Sequence, residues 1–260
     1  MAVDARTLTH ITFATRGFHR AIAVLKRTAR RHGVGDLRVY GPEHPAVAAL
    51  RRAHPTIMKE RRGAGYWLWK PAILLDAMAS LPDGAPIVYT DAGLAYQSSP
   101  APLLSLLKDH EVVTFANTPD RVQRLWTKRD CFVLLDADRS EEWERRQLDA
   151  AVLLMRNGPR ARALMAEWAA AMRDPRALTD QPNQCGLPNL VGFIEHRHDQ
   201  SVLTIVAARN GVPARPMPVS GRSGEMPCCA VFLQHRMQAG RGSLADWLRL
   251  AVRLRVLPFG

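Results

Sequence analysis

The chain has 260 residues, of which 36 are Lys or Arg and 24 are Asp or Glu, so its formal net charge is +12. Hydrophobic residues make up 47% and charged residues 23%, which excludes a disordered, collagen-like or fibrous protein and suits one large globular domain. No stretch reaches the roughly 20 apolar residues of a membrane-spanning helix, and the N-terminus has no apolar signal-peptide core, so we expect a cytoplasmic protein.

Predicted strands and helices alternate in the first third of the chain. Runs of β-branched and aromatic residues predict buried strands at residues 11–15, 37–40 and 87–90. Apolar residues at helical spacing predict helices at residues 18–31, 47–53 and 71–81. This alternation predicts an α/β domain with a mainly parallel central sheet flanked by helices.

The rest of the chain has longer irregular segments. Further strands are predicted at residues 112–115, 151–155 and 230–233, further helices at 102–108, 159–172 and 201–209, and loops at 117–146, 174–192 and 211–229. The first of these loops is expected to be partly helical near its end. A final basic amphipathic helix is predicted within residues 241–260, and its arginines suit either an anionic membrane surface, contacted through residues 241–257, or docking on the domain.

The excess of arginine narrows the choice of partner without deciding it. Basic residues suit nucleic acid, an anionic membrane surface or a phosphate-bearing small molecule. The arginines are spread along the whole chain and accompany no helix-turn-helix or RNP motif, so we expect no specific nucleic-acid partner and keep a nucleic-acid-binding protein as the weaker hypothesis. The four cysteines form no C-x-x-C pair, which favours idle or buried thiols over a zinc site.

Residues 63–71, with the sequence GAGYWLWKP, are the most unusual stretch of the chain. Their glycines allow close backbone approach, and their three aromatic rings can stack on a base or a sugar. Lys70 can meet a phosphate at the start of the following helix. The alternative is structural, with Tyr66, Trp67 and Trp69 packed in the core and Lys70 solvated.

Two carboxylate motifs are candidate ligands of a metal or a sugar. Asp91 directly follows the predicted strand at 87–90, at the strand end where ligands of open α/β sheets bind, although an Asp here can also simply cap a turn. Asp136 and Asp138 form a literal Asp-x-Asp and are the rival metal site. They are less favoured because a charged segment follows them at once.

His and Asp residues cluster before the predicted helix at 201–209. His198 and Asp199 suit an acceptor or metal contact and Asp199 suits a base, but Asp199 is also a good helix N-cap. His235, after the last predicted strand, is a weaker candidate for a metal or phosphate contact. The sequence has no GxGxxG, GxxxxGK[ST], HExxH or GxSxG motif, which weakens assignment as a dinucleotide oxidoreductase, P-loop NTPase, zincin or α/β-hydrolase.

Three motifs together resemble a family of bacterial glycosyltransferase-like proteins that are often found with capsule or lipopolysaccharide genes. In chain order they are GxGYWLWKP at residues 63–71, YTDAG at 89–93 and HRHDQS at 196–201. Residues 126–130 and Gln147 are also similar to this family. The resemblance covers residues 8–237.

The resemblance implies a GT-A-like nucleotide-sugar-binding fold over residues 1–240, with a nucleotide-binding half at about 8–116 and an acceptor half at about 117–240. It implies transfer of a sugar from a nucleotide-diphosphate sugar to a glycan or lipid-linked acceptor in surface polysaccharide biosynthesis. Such a protein would work in the cytoplasm, at the inner face of the membrane.

The same resemblance implies roles for individual residues. The donor-binding residues would be Tyr66, Trp69, Lys70, Asp91 and Gly93. His198 would contact the acceptor, and Asp199 and Gln200 would be catalytic. Because Gln200 is not a carboxylate, we expect no covalent intermediate at that position, and Asp199 is the nearest base for an inverting reaction.

The sequence supplies only one of the two carboxylates that would bind a divalent cation. Related transferases carry Asp-x-Asp after a central strand, where it binds Mn or Mg across the diphosphate, but here the motif is Asp91-Ala92-Gly93. Either His235 or a water completes the metal shell on Asp91, or Arg and Lys neutralise the diphosphate without metal. The missing carboxylate also motivates an alternative, a non-catalytic protein that keeps the fold.

Overall fold

The computed structural model describes residues 5–220, 230–235 and 254. Its strands, in chain order, are β1 (Thr9–Phe13), β2 (Asp36–Tyr40), β3 (Pro86–Thr90), β4 (Leu94–Tyr96), β5 (Val112–Ala116), β6 (Val152–Arg156), β7 (Ala214–Pro216), β8 (Val219–Ser220) and β9 (Phe232–Gln234). Six of them form a central sheet in the order β2-β1-β3-β6-β5-β7, and the other three form a small sheet in the order β4-β9-β8.

The central sheet is mostly parallel. Strands β1, β2 and β3 run parallel, and so do β5 and β7, whereas β6 is antiparallel to both of its neighbours. Because β6 lies between β3 and β5, the sheet takes strands from both sides of residue 116. Assignment of the two halves to donor and acceptor stays a prediction.

Helices cover both faces of this sheet. In chain order they are α1 (His19–Arg31), α2 (Pro45–Ala53), α3 (Pro55–Met58), α4 (Gly63–Tyr66), α5 (Trp69–Ala79), α6 (Ala101–Leu104), α7 (Gln123–Trp126), α8 (Arg129–Leu134), α9 (Ser140–Trp143), α10 (Pro159–Ala171), α11 (Pro175–Leu178) and α12 (Asp199–Arg209). Among the described residues, no helix is both long enough and apolar enough to cross a membrane.

The core forms because successive residues of a strand point to opposite faces of the sheet. Ile87 and Tyr89 of β3 pack into the cluster that contains the apolar residues of α5, α10 and α12. Val88, between them, packs into the opposite cluster with Leu25 of α1. All three strand side chains are fully buried. The predicted α/β class with a mainly parallel sheet is therefore confirmed.

The irregular segments contain more structure than their composition predicts. Residues 117–146 hold the short helices α7, α8 and α9, so the apolar run before Asp136 ends a helix. The predicted loop at 174–192 contains α11, and residues 214–220 contribute two short strands. Apart from residue 254, the helix predicted within 241–260 lies outside the described residues, as do Cys228 and Cys229. Of the described cysteines, Cys131 is buried and Cys185 is half-buried, and neither forms a disulfide.

Asn157 ties the C-terminal end of α5 to the end of β6. Its side-chain amide donates to the carbonyl oxygens of Met78, Leu81 and Pro82 at 3.0, 2.9 and 3.1 Å, and the residue is 1% exposed. We expect Asn157→Ala to lower the free energy of unfolding by about 2 kcal/mol, because it removes three hydrogen bonds to backbone carbonyl oxygens at a buried site. Urea unfolding measures this loss. Gln184→Ala, at an exposed position outside any helix or strand, is the control and should change stability by less than about 0.5 kcal/mol; equal losses in both variants would contradict the account.

Candidate functional site

The site lies at one edge of the central sheet. Asp91 follows the carboxyl end of β3 and Asn117 follows that of β5, while Ala151 precedes the antiparallel β6 and so lies at the same edge. A cavity of about 680 Å³, called the cleft below, opens here. Its walls come from residues 62, 67, 70, 91, 117, 118, 120, 121, 149–151, 197–200 and 234. This is the strand edge at which open α/β sheets bind their ligands.

Lys70 lies at the floor of the cleft and is 1% exposed, so it is not the solvated lysine of the structural alternative. Its Nζ lies 2.6 Å from Asp199 Oδ2, 3.1 Å from the carbonyl oxygen of Ala150 and 3.5 Å from Asp91 Oδ1. The ammonium group donates hydrogen bonds to Asp199 and to the Ala150 carbonyl oxygen, and it forms a longer ion pair with Asp91. Burial lowers the pKa of Lys70, but the nearby carboxylates outweigh burial and raise it, so Lys70 is a cation.

Asp199 is the first residue of α12 and His198 is in the N-cap position, so the structural alternative, in which Asp199 caps the helix, does not hold. The Asp199 side chain is instead 7% exposed and carries the short contact to Lys70. Burial raises the pKa of Asp199, and the charge of Lys70 opposes that rise. An acidic side chain in the first turn also interacts favourably with the helix dipole.

Asp91 is the accessible member of this group, with a side chain that is 41% exposed. Its Oδ1 accepts a hydrogen bond from the Tyr89 hydroxyl at 2.8 Å. Tyr89 itself is fully buried, and burial together with the Asp91 charge raises its pKa well above 10, so its hydroxyl stays protonated as the donor. One carboxylate oxygen of Asp91 is therefore held by Tyr89 and Lys70, and the residue still faces the cleft.

Residues 63–67, which include the short element α4, form a single left-handed turn just before α5 begins. All five residues have positive φ, from 51° at Tyr66 to 98° at Gly65. Left-handed backbone costs a non-glycine residue roughly 1–2 kcal/mol. At Gly63 a Cβ would lie 2.3 Å from the Trp67 ring, so glycine is required there. The turn places Trp67 in the wall of the cleft.

The three aromatic rings of the GAGYWLWKP motif therefore divide between cleft and core. Trp69 stacks on Phe13 with ring centroids 3.8 Å apart, and its Nε1 donates to the carbonyl oxygen of Gly63. Tyr66 is buried behind His198, with ring centroids 4.7 Å apart. Of the three, Trp67 lines the cleft, whereas Tyr66 and Trp69, predicted as donor contacts, do not.

His198 lines the cleft beside Trp67. The two rings are stacked with centroids 5.7 Å apart, and His198 has an unusual backbone conformation, with φ 50° and ψ −119°. Its Nδ1 lies 2.8 Å from the carbonyl oxygen of Leu178 and so donates to it. Burial lowers the pKa of His198 to about 4, and the ring is therefore neutral at neutral pH.

Gln200 joins a buried network of amides and hydroxyls. Its Nε2 donates to Gln147 Oε1 at 2.7 Å, and Gln147 Nε2 in turn donates to Ser201 Oγ at 3.1 Å and, more weakly, to Gln123 Oε1 at 3.3 Å. The sequence resemblance included Gln147 but gave it no role. This contact gives it one, since Gln147 holds the side chain of Gln200 at the cleft.

The predicted metal residues are not gathered into one site. Asp91 is in the cleft, whereas His235 is buried outside its lining and donates its backbone N–H to the carbonyl oxygen of Gly93. Asp136 and Asp138 lie outside the lining as well, and Asp138 pairs with Arg129. Within residues 5–220 and 230–235, no three His, Cys, Asp or Glu side chains are grouped so as to hold a metal ion.

Comparison with known proteins identifies a fold but no family. No protein-family model matches the chain, and no curated protein matches its sequence. The apo structure of the bifunctional glycosyltransferase WbbM superposes with a TM-score of 0.52 and 11% sequence identity over 88% of this chain and 45% of that chain. The chain has a glycosyltransferase-like fold. It spans less than half of the WbbM chain, and at 11% identity the likeness concerns the fold alone.

Several cleft residues of this glycosyltransferase-like fold were given no role by any sequence motif: Arg62, Asn117, Asp120, Arg121, Asp149 and Arg197. Their position in the fold is the signal that could have found them. Residues 117–121 follow the carboxyl end of β5, and Asp149 precedes β6 at the same edge of the sheet. Asp149 is 4% exposed and accepts a hydrogen bond from the Ala151 N–H.

The buried ion pair makes a prediction about stability. Lys70→Met leaves Asp199 buried without its cation, and we expect the free energy of unfolding to fall by about 3–5 kcal/mol at neutral pH. The double variant Lys70→Met with Asp199→Asn removes both charges and should regain most of that loss. Urea unfolding of the two variants measures the difference, and similar losses in both would contradict a charge-based account.

The stability of the single variant should also depend more strongly on pH than that of the wild type. Burial already raises the pKa of Asp199 above its ordinary value of 3.8 in the folded protein, and without the opposing charge of Lys70 it rises further. Stability of the variant is therefore fully present below about pH 3.8 and is lost as pH rises through the raised folded value. Relative to wild type, Lys70→Met should be least destabilised in acid and most destabilised at neutral pH. A destabilisation that is constant across this range would contradict the assignment of charge.

Proposed function

We propose that this chain is a glycosyltransferase that transfers a sugar from a nucleotide-diphosphate sugar to a glycan or lipid-linked acceptor, in the synthesis of surface polysaccharide. The observation that carries the proposal is the buried Lys70, which joins Asp91 and Asp199 at the floor of a polar cleft. Buried charges with shifted pKa values concentrate at functional sites. The glycosyltransferase-like fold supports the same reaction class.

In this proposal Asp91 is the residue that contacts the substrate. Its Oδ1 is held by Tyr89 and Lys70, and the rest of its half-exposed carboxylate accepts hydrogen bonds from hydroxyls of the donor sugar. Asp199 is a positioning residue, because its carboxylate is buried and engaged by Lys70. Its predicted role as a base is less favoured, since a base must give up that contact to take a proton.

The acceptor side of the cleft is formed by Trp67 and His198. A sugar ring can lie flat against the Trp67 indole, which the left-handed turn at 63–67 places in the wall. Gln200, held by Gln147, supplies an amide beside Asp199. We propose that these groups orient the acceptor hydroxyl. We also propose that sugar transfer takes place at the inner face of a membrane, because a basic amphipathic helix is predicted within 241–260.

A divalent cation does not fit a site built from protein ligands alone. Asp91 supplies one carboxylate, and the ammonium of Lys70 lies 3.5 Å from it, a charge that competes with a metal. Magnesium and manganese prefer several oxygen ligands and are often completed by substrate phosphates and water. A Mn or Mg requirement therefore stays a prediction.

Asp91→Asn tests the proposed function. We expect donor transfer or donor hydrolysis, measured across a panel of nucleotide-diphosphate sugars, to lose about 100-fold or more in kcat/KM, the size of effect seen when one charge-stabilising contact is removed. Thermal unfolding should change little, because the side chain is half-exposed and asparagine keeps its shape. Activity of the wild type with and without EDTA measures metal dependence in the same assay.

The control is Asp120→Asn, an exposed carboxylate that also lies in the cleft but makes no contact with Lys70. It should retain far more activity than Asp91→Asn. Full activity of Asp91→Asn would refute the assigned role. Neither binding nor turnover of any donor by the wild type would refute the glycosyltransferase and favour the non-catalytic alternative.

A further inference from the structure

The cations that line the cleft are of two kinds. Lys70 and Arg62 are neutralised by the protein itself. Lys70 is paired with Asp199, and Arg62 lies 3.3 Å from Asp180 and 2.9 Å from Glu195. A cation that already has close carboxylate partners offers an anionic ligand less net attraction. Neither of these two residues is therefore the first choice for binding a phosphate.

Arg121 and Arg197 are different, because both pack against one aromatic ring. Their guanidinium carbons lie 4.4 and 5.9 Å from the centroid of the Trp126 ring. Arg197 is paired with Glu195 at 2.7 Å through one terminal nitrogen, which leaves its other N–H groups. In the part of the chain that is described, Arg121 forms no ion pair. Both residues line the cleft, so an anion bound there is attracted by both charges.

The backbone around these arginines is fixed by hydrogen bonds. The carbonyl oxygen of Trp126 accepts from the backbone N–H of Arg197 at 3.0 Å and from Ser201 Oγ at 2.8 Å. The carbonyl oxygen of Arg121 accepts from the backbone N–H of Gln147 at 2.8 Å. Both side chains thus start from rigid positions, which reduces the entropy lost when a ligand binds.

The chemistry of the two side chains points to a phosphate ligand. A guanidinium presents its N–H groups in a planar fork that matches two phosphate oxygens, and it stays charged at any physiological pH. The neighbouring Asp120 is exposed to solvent, and a hydrogen bond from Thr118 is the main cause of its lowered pKa. Solvent screens the charge of such an exposed carboxylate.

We propose that Arg121 and Arg197 bind the diphosphate of the donor and carry the charge-neutralising role that would otherwise fall to a metal on Asp-x-Asp. This rests on the proposed function, since it assigns the leaving group of the same reaction to one wall of the cleft. The two cations stabilise the negative charge that develops on the diphosphate as the sugar–oxygen bond breaks.

Calorimetric titration of UDP, GDP and inorganic pyrophosphate into the full chain, once with EDTA and once with Mn present, tests the proposal. The wild type should bind at least one nucleoside diphosphate without metal. Arg121→Ala and Arg197→Ala should each weaken that binding by about 10- to 100-fold, the range expected for a lost hydrogen bond to a charged group. Arg121→Lys, which keeps the charge but not the fork, should fall between wild type and Arg121→Ala.

The matched control is Arg124→Ala. Arg124 lies on α7, three positions after Arg121 in the chain. It pairs with Glu144 at 2.7 Å and does not line the cleft. It should bind as the wild type does. Thermal unfolding of every variant checks folding, and the Lys variants replace the Ala variants if those do not fold.

The outcomes separate this proposal from the proposed function. If the wild type binds a nucleoside diphosphate and the Arg121 and Arg197 variants bind it as tightly as Arg124→Ala does, the arginine site is wrong and the transferase proposal stands. Binding that requires Mn and is unchanged in both variants also overturns the arginine site and leaves the transferase proposal standing. If the wild type binds no nucleoside diphosphate with or without Mn, both proposals fail.

Discussion

The contact between Lys70 and Asp199 is the constraint on which the site depends. Removing a lysine and an aspartate from water costs several kcal/mol for each ion, and only a close partner offsets that cost. The 2.6 Å contact therefore requires the start of α5 and the start of α12 to lie together. Asp91 enters the same group from the end of β3, so the pair links two helices to the central sheet.

Strained backbone flanks both ends of this ion pair. The left-handed turn at 63–67 leads directly into α5, and His198, with φ 50°, leads directly into α12. The rings of Trp67 and His198, which the two segments carry, stack on each other. Strain of this kind persists only where the surroundings hold it in place, and it clusters at functional sites. Here the buried pair on one side and the stacked rings on the other provide that support.

Most strands of the central sheet were predictable because their sequence signal is local, whereas β7 lies in a segment that was predicted as a loop. Buried strands such as 87–90 and 112–115 are continuous apolar or β-branched runs, and the structure places them within one residue of the predicted bounds. The antiparallel direction of β6 was not predictable, since it depends on pairing with distant strands. The left-handed turn was missed because Ala64, Tyr66 and Trp67 ordinarily avoid positive φ.

The same distinction between local and long-range signals explains the site. Lys70, Asp91, His198, Asp199 and Gln200 carry unusual local sequence and do line the cleft. Their partners were hidden, because contacts such as Lys70 with Asp199 join residues more than a hundred positions apart. Closeness within a motif also did not show which side chains share a site. Trp67 and Trp69 are two residues apart, yet Trp67 faces the cleft and Trp69 stacks on Phe13 in the core.

The net charge of +12 says less about function than the way in which basic and acidic side chains are paired in the cleft. Within the described lining, the basic residues Arg62, Lys70, Arg121 and Arg197 are matched in number by the acidic residues Asp91, Asp120, Asp149 and Asp199. The cleft is therefore close to neutral, and the excess of arginine lies elsewhere on the chain. A field from distant charges is screened within about 10 Å at ordinary ionic strength. An anionic ligand in the cleft is attracted most by the basic residues that the protein's own carboxylates neutralise least. Of these, Arg121 and Arg197 are the two that share the Trp126 ring.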